Sequence, residues 1–266
     1  MKTLDQYKKY LILKKEELAP DTFLFRLKGK LKFEPGQFVQ ISLPHYGEAT
    51  YAPCSDPEEK SFFEIVIRAT GNASNQLVKL LPGDFMEVRG PYGHGWPMGK
   101  LIGKNIVLIT GGIGIIPIRP LIYQLLKYKK EFKRISLLSG FRTAEFVTFK
   151  NDYKYWLKKF DYIKVAVEKT NSDWWGENCM PTDLINNMKL SHPNTVVLIC
   201  GPEIMFKFCN DILIKKEIPS NQIFISFERR MECGVGLCQH CNIGKYLVCK
   251  DGPVFRWDKI QPELDK

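Results

Sequence analysis

The sequence predicts two domains in series, an antiparallel β-barrel or sandwich and an α/β domain with a parallel sheet, followed by a small cysteine-rich loop domain. Three observations carry this. Short β-branched and aromatic runs, separated by tight-turn clusters, fill residues 1–99. Apolar runs alternating with segments of helical period fill 100–226. In 227–266 that periodicity stops, and four cysteines fall within seventeen residues. A chain of 266 residues is long for one domain and suits two.

In the first domain, strands are expected at 10–13, 22–27, 37–43, 62–68 and 85–89, because each is rich in Phe, Ile, Leu or Val. The intervening Pro35-Gly36, Pro44-His45-Tyr46-Gly47 and Pro82-Gly83-Asp84 read as turns. Gly71-Asn72-Ala73-Ser74 opens a helix expected to run to Leu81. In the second domain the strand 105–110 runs into a glycine turn and a helix at 118–127, with further strands at 135–139, 163–167 and 195–199. Helices between buried parallel strands are the βαβ arrangement.

Composition excludes several classes. A hydrophobic fraction of 44% with 26% charged residues is that of a globular protein rather than a disordered or fibrous one. The longest apolar stretch, 106–118, is interrupted by three glycines and a proline, so no membrane span is expected. Residues 1–15 carry five lysines without an apolar core, unlike a secretory leader, and the expected location is the cytoplasm. The net charge of +10 is concentrated in 121–164, which holds 11 Lys/Arg against 4 Asp/Glu. These cations punctuate apolar helical positions, so they read as a wet helix face and not as a nucleic-acid surface.

The strongest motif is Cys233-x4-Cys238-x2-Cys241-x7-Cys249. The first three cysteines have the spacing of a loop around a plant-type 2Fe-2S cluster, with a fourth ligand farther on. Gly234, Gly236 and Gly244 let such a loop take positive φ. Four thiolates also suit structural zinc, but zinc ribbons usually pair two short Cys-x2-Cys knuckles, and the gaps of four and seven favour iron and sulfide. His240 lies inside the loop as a bystander.

Two further turns end buried strands of the α/β domain. Gly111-Gly112-Ile113-Gly114-Ile115-Ile116-Pro117 allows close approach of a diphosphate to a helix N-terminus, and Cys200-Gly201-Pro202 closes a neighbouring strand. Together they form the crevice in which open α/β sheets bind ligands. In the barrel, Pro53-Cys54-Ser55, Gly71 to Ser74 and Arg89-Gly90-Pro91-Tyr92-Gly93 follow strands in an order hard to explain as turns alone.

With these motifs the chain resembles the ferredoxin-NADP reductase superfamily. More closely, it is similar to the iron-sulfur flavoprotein branch of sulfhydrogenase gamma subunits, anaerobic sulfite reductase B subunits and dihydroorotate dehydrogenase electron-transfer subunits. Its most specific block is Glu228-Arg229-Arg230-Met231-x-Cys233-Gly234-Val235-Gly236-x-Cys238-x2-Cys241. The resemblance implies a FAD-binding barrel at 1–99, an NAD(P)-binding domain at 100–226 and a 2Fe-2S segment at 227–266.

It also assigns roles. Pro53, Cys54 and Ser55 would lie along the flavin ring, and Gly71, Ala73 and Ser74 on the flavin's phosphates. Gly111, Gly112, Gly114 and Pro117, with Cys200, Gly201 and Pro202, would hold NAD(P)H, and Arg142 a phosphate-bearing ribose. Ser55 is expected at flavin N5 and Cys200 against the nicotinamide, neither of them as a nucleophile. Cys233, Cys238, Cys241 and Cys249 would hold the cluster. Ala52-Pro53-Cys54-Ser55 lacks the superfamily's arginine and stacking tyrosine, a place Tyr51 could fill. With no residues for a terminal substrate, the chain reads as one subunit that exchanges electrons with a partner catalytic subunit, alongside additional iron-sulfur subunits. A hydrogenase or sulfite reductase is the first expectation and a dihydroorotate dehydrogenase the second, while a redox or nucleotide sensor is a reading of another class. The partner is expected on the surface around Cys233 to Phe255, with Val254, Phe255 and Trp257 either at its apolar centre or covering the cluster loop.

Overall fold

The computed structural model describes residues 6–170, 173–190 and 194–264. Six strands build the first domain: β1 (Lys8–Ala19), β2 (Thr22–Lys28), β3 (Phe38–Leu43), β4 (Gly47–Tyr51), β5 (Phe62–Arg68) and, after helix α1 (Asn72–Leu77), β6 (Phe85–Tyr92). All pairings are antiparallel, in the order β4-β3-β6-β1-β2-β5. A bridge between Pro53 and Ile65 joins the two ends of that order, so the sheet curls into a barrel. Phe25, Val39, Ile41, Phe63, Ile65 and Ile67 fill its interior.

β4 is a strand beyond those expected at 10–13, 22–27, 37–43, 62–68 and 85–89, and it begins at Gly47, the last residue of the expected turn. Its Gly-Glu-Ala-Thr-Tyr composition carries little strand preference, and pairing with β3 makes it a strand. α1 stops at Leu77, short of the expected Leu81, because the chain turns at Leu81–Asp84 to enter β6.

The second domain contains β7 (Asn105–Gly111), α2 (Ile115–Lys127), β8 (Arg134–Thr143), α3 (Lys150–Trp156), β9 (Tyr162–Lys169), β10 (Glu177–Asn178), α4 (Pro181–Asn186), β11 (Thr195–Cys200), α5 (Glu203–Lys215) and β12 (Ile223–Ser226). These strands are parallel in the order β10-β9-β8-β7-β11-β12. Their near-continuous burial is what a sheet covered on both faces requires. α2 starts earlier than its periodicity indicated, since Pro117 is tolerated in a first turn, where its missing N–H is not needed.

The carboxyl-terminal residues form the hairpin β13 (Asn242–Ile243) and β14 (Tyr246–Leu247), then α6 (Val248–Asp251), β15 (Val254–Arg256) and α7 (Trp257–Leu264). β15 adds an antiparallel edge to the second sheet, beside β12. This corrects the expected partner face. Val254, Phe255 and Trp257 are buried in the core and cannot be its apolar centre. Trp257 and Phe255 pack in one cluster with Cys241, Cys249 and the second sheet, so the loop rests on a rigid floor. Another core is continuous across the two domains, joining Leu24, Cys54 and Val66 of the barrel to Ile115, Ile116 and Ile118 of α2.

Candidate flavin, nucleotide and cluster sites

A cleft of about 1160 Å³ opens where the barrel, the start of α2 and the chain after β12 meet. On the barrel side its wall is Thr50, Tyr51 and Ala52, followed by Arg68 and the turn 70–74. Cys54 and Ser55 are buried next to that wall. Cys54 N–H donates to the Glu64 carbonyl at 2.8 Å, and the Cys54 carbonyl accepts from Arg119 Nη1 at 2.9 Å. Burial pushes the Cys54 thiol up to about 12, so it remains protonated and inert. Ser55 Oγ is buried with no hydrogen-bond partner, a costly condition that a polar group of a bound cofactor would relieve.

The turn before α1 is organised by Ser74. Its Oγ accepts from the amides of Thr70 at 3.0 Å and Gly71 at 2.9 Å and donates to the Gly71 carbonyl at 3.1 Å. Ser74 therefore shapes the turn, while Gly71, Ala73 and Ser74 line the cleft.

Across the cleft, β7 and β11 are adjacent and in register, with Thr110 opposite Cys200, which brings the glycine turn against the Cys-Gly-Pro turn. A Cβ on Gly114 would sit 2.2 Å from the Cys200 carbonyl oxygen, and one on Gly201 would sit 3.0 Å from the Gly111 nitrogen. A Cβ on Gly111 would meet Met205 Sδ at 2.7 Å and Pro202 at 3.0 Å. These glycines let two turns touch, whereas Gly112, at φ +54° with nothing within 4 Å, leaves open space in front of the helix. Ile113, Ile116 and Pro117 line the cleft. Cys200 is buried, and burial, with the nearby Glu228, holds its thiol protonated. Arg142 is exposed near the end of β8, outside the cleft wall.

The third site is the loop 228–250. Gly234 at φ +71° and Gly236 at φ +79° turn its backbone so that amides face sulfur. Cys233 Sγ accepts from Leu237 and Cys238 N–H at 3.2 and 3.4 Å, Cys249 Sγ from Gly236 N–H at 3.1 Å, and Cys241 Sγ from Cys249 N–H at 3.4 Å. Burial pushes the Cys233 thiol up, but the amides outweigh it and bring it down to about 6. Burial pushes Cys249 up to about 12, with the neighbouring Cys241 adding to the rise. The sulfurs influence one another, Cys238 acting on Cys233 and both Cys241 and Cys233 acting on Cys249. Among the described residues no three His, Cys, Asp or Glu converge as one metal ion would need. Cys241 and Cys249 are buried and Cys238 is exposed, so the group they could hold lies between core and surface.

Two cleft residues carry signals the motif reading passed over. Glu228 is the second residue after β12, at the carboxyl edge of the parallel sheet, and burial pushes its carboxyl up. Arg68 ends β5, three residues before Gly71, and presents a cation beside the turn 70–74. An ionisable residue at or just past the carboxyl end of a buried strand was the sign available for each.

Comparison with known proteins agrees with this division of sites. Residues 9–96 match the oxidoreductase FAD-binding domain, residues 108–211 the oxidoreductase NAD-binding domain, and residues 228–261 the iron-sulfur cluster binding domain of dihydroorotate dehydrogenase B. The chain is 36% identical over 251 residues to the sulfhydrogenase 1 subunit gamma of Pyrococcus furiosus, covering 90% of this chain and 86% of that protein. It is 38% identical over 239 residues to the probable dihydroorotate dehydrogenase B (NAD(+)) electron transfer subunit of the same organism, with 90% and 86% covered. Among solved structures, that of an NADH-dependent reduced ferredoxin-NADP oxidoreductase superposes with a TM-score of 0.77 at 25% identity, covering 99% of this chain and 94% of that one. The chain thus belongs to the family of FAD- and NAD-binding iron-sulfur oxidoreductase subunits that includes the sulfhydrogenase gamma and dihydroorotate dehydrogenase B electron-transfer subunits.

Proposed function

We propose that this protein is the NAD(P)H-linked subunit of a multi-subunit oxidoreductase, passing electrons between nicotinamide, FAD and a 2Fe-2S cluster to or from a partner catalytic subunit. The observation that carries the reading is continuity: the cleft wall runs along Ser226 to Glu232, and the next residue is Cys233. A flavin site and a cluster site that share one stretch of chain are placed for electron exchange.

The donors present fit these groups. The orphaned Ser55 Oγ offers a hydrogen bond to the flavin ring edge, and Gly71, Ala73 and Ser74 line the place for a diphosphate. Four neighbouring cysteines whose sulfurs receive backbone amides suit a 2Fe-2S cluster. Nicotinamide, FAD and cluster together convert a two-electron hydride into single electrons. Pro53, Cys54 and Ser55 orient the ring, and Gly111, Gly112, Gly114 and Pro117 place the nucleotide at the start of α2. Arg142 is assigned to the nucleotide ribose. Cys200, with Gly201 and Pro202, packs against the nicotinamide as a neutral thiol and excludes water.

Hydrogenase is the partner class first expected, with sulfite reductase as its variant; the 36% relative is a sulfhydrogenase subunit. A dihydroorotate dehydrogenase partner is favoured by a separate observation, the match of 228–261 to that enzyme's cluster domain. Anaerobically purified protein should contain FAD, iron and acid-labile sulfide, with NAD(P)H bleaching the flavin absorbance. Stoichiometric zinc without iron would overturn the assignment.

A further inference from the structure

Two barrel strands reach the cluster loop at a single peptide. Gln40 on β3 and Arg89 on β6 lie opposite each other in antiparallel register, so their side chains leave the sheet on one face. Gln40 is fully buried and Arg89 is 5% exposed. Both donate to the main-chain carbonyl of Glu232, Gln40 from Nε2 at 3.1 Å and Arg89 from Nη2 at 3.4 Å. Glu232 is part of the cleft wall, and Cys233 follows it. On the far side of Cys233 the backbone passes just as close: a Cβ on Gly234 would lie 2.4 Å from Gln40 Oε1.

Arg89 is braced in turn. Its Nη2 donates to Glu48 Oε2 at 2.7 Å and its Nε to Tyr7 Oη at 2.9 Å, with the guanidinium 5.2 Å from the centre of the Tyr7 ring. Burying an amide and a guanidinium costs free energy that apolar residues at these strand positions would avoid. The backbone ladder already holds β3 to β6, so what the pair adds is the tie from barrel to loop.

We propose that Gln40 and Arg89 are positioning residues for one-electron transfer. By clamping the Glu232–Cys233 peptide to the barrel, they set the distance and orientation of the first cluster thiolate relative to the flavin cleft. The inference rests on the assignment of FAD to the cleft and a cluster to the four cysteines. The step concerned moves one electron from reduced flavin to a ferric iron, which becomes ferrous, while the flavin's proton passes to solvent. Tunnelling falls exponentially with distance, so a loop that drifts slows this step. Hydride entry, which uses Ser55, Cys200 and the glycine turns, is left alone.

The test compares wild type with Gln40→Leu, similar in volume, and Gln40→Asn, which keeps an amide that is too short to reach. Arg89→Lys keeps the charge but not the forked geometry. Anaerobic stopped-flow with NADPH or NADH follows the flavin and cluster bands separately, and electron paramagnetic resonance reads the reduced cluster. Losing one of the two donors to this carbonyl should make the clamped loop about tenfold less populated. The expected result is unchanged flavin bleaching, slowed cluster reduction and a broadened cluster signal in the Gln40 variants, with a milder effect in Arg89→Lys. If Gln40→Leu cannot retain its cluster, Gln40→Asn is read by the same criteria. Cluster reduction and signal identical to wild type in a loaded Gln40 variant would overturn the inference. Absence of iron from the wild type would instead overturn the functional reading beneath it.

Discussion

Glu228 keeps an exposed surface yet is crowded enough by the surrounding chain for partial desolvation to act on its carboxyl. Its carboxyl is held above the ordinary value of 4.5 by burial. A carboxyl with a raised folded value binds its proton more tightly in the folded state, so its stabilising effect is full below about 4.5 and is lost as pH climbs through the raised value. Wild type should therefore lose more thermal stability than Glu228→Gln as pH rises above about 4.5, a difference measurable as Tm. Equal slopes would show that Glu228 is solvated. Gly114 is limited by space. Its Cβ would strike the Cys200 carbonyl at 2.2 Å, so Gly114→Ala should separate the two turns, destabilising by roughly 1–3 kcal/mol and weakening nucleotide binding without loss of FAD. Gly112→Ala meets no atom and carries only its positive φ, with a cost of about 1 kcal/mol. Titration of flavin bleaching with NAD(P)H separates the two. The glycine motif was legible as a string, but which glycine faces a neighbouring turn and which faces open space depends on β11, some ninety residues away in the chain.

Arg119 joins three elements. From α2 it reaches Glu64 on β5 at 2.8 Å, Asp152 on α3 at 2.6 Å and the Cys54 carbonyl at 2.9 Å, and it is buried. Removing one member of a buried ion network strands the others, at a cost of roughly 3–5 kcal/mol. Arg119→Met should therefore lower stability by that order and loosen the barrel against α2, read by denaturant titration and by loss of FAD on dilution. No sequence pattern marks this tie, since Glu64 looks like an interruption in an apolar strand and Arg119 like a surface helix residue. The cluster loop is a more autonomous element. Its sulfurs receive amides only from within 235–249, so Cys238→Ser should abolish the cluster signal and leave NAD(P)H-driven flavin bleaching within about twofold, the range expected for a site remote from the change. Loss of bleaching in a variant that still binds FAD would show that the two sites are not separable.

For the whole molecule, the surface around the loop bears on assembly. Leu237 is 61% exposed and neighbours the exposed Cys238, while Val254, Phe255 and Trp257 are spent on the core beneath. Residues 228–266 hold 7 Lys/Arg and 6 Asp/Glu, so local charge does not dominate this face despite the chain's net +10. An apolar contact at the least shielded edge of the cluster is the expected docking geometry. Leu237→Glu should release the chain from partner subunits when it is purified from its native cell, while reduction of an artificial acceptor by NAD(P)H continues unchanged. Co-purification at wild-type yield would place the interface elsewhere. Among the described residues, no helix is long and apolar enough to cross a membrane.

The order of the three regions, the cysteine spacing and the glycine turns could be read from the chain, because each arises from local preference: strand propensity, positive φ and short ligand gaps. The same local rules left β4 out of the strand list and left Val254, Phe255 and Trp257 open between a partner face and a cover for the loop, since pairing with β3 and β12 is a long-range event that no window of sequence records. The Arg119 network, the contact between Gly114 and Cys200, and the grip of Gln40 and Arg89 on the Glu232 carbonyl join residues between 33 and 192 positions apart. Folding brings them together because burying both domains' apolar faces leaves those polar groups no water to bond, and each must find its partner across the junction.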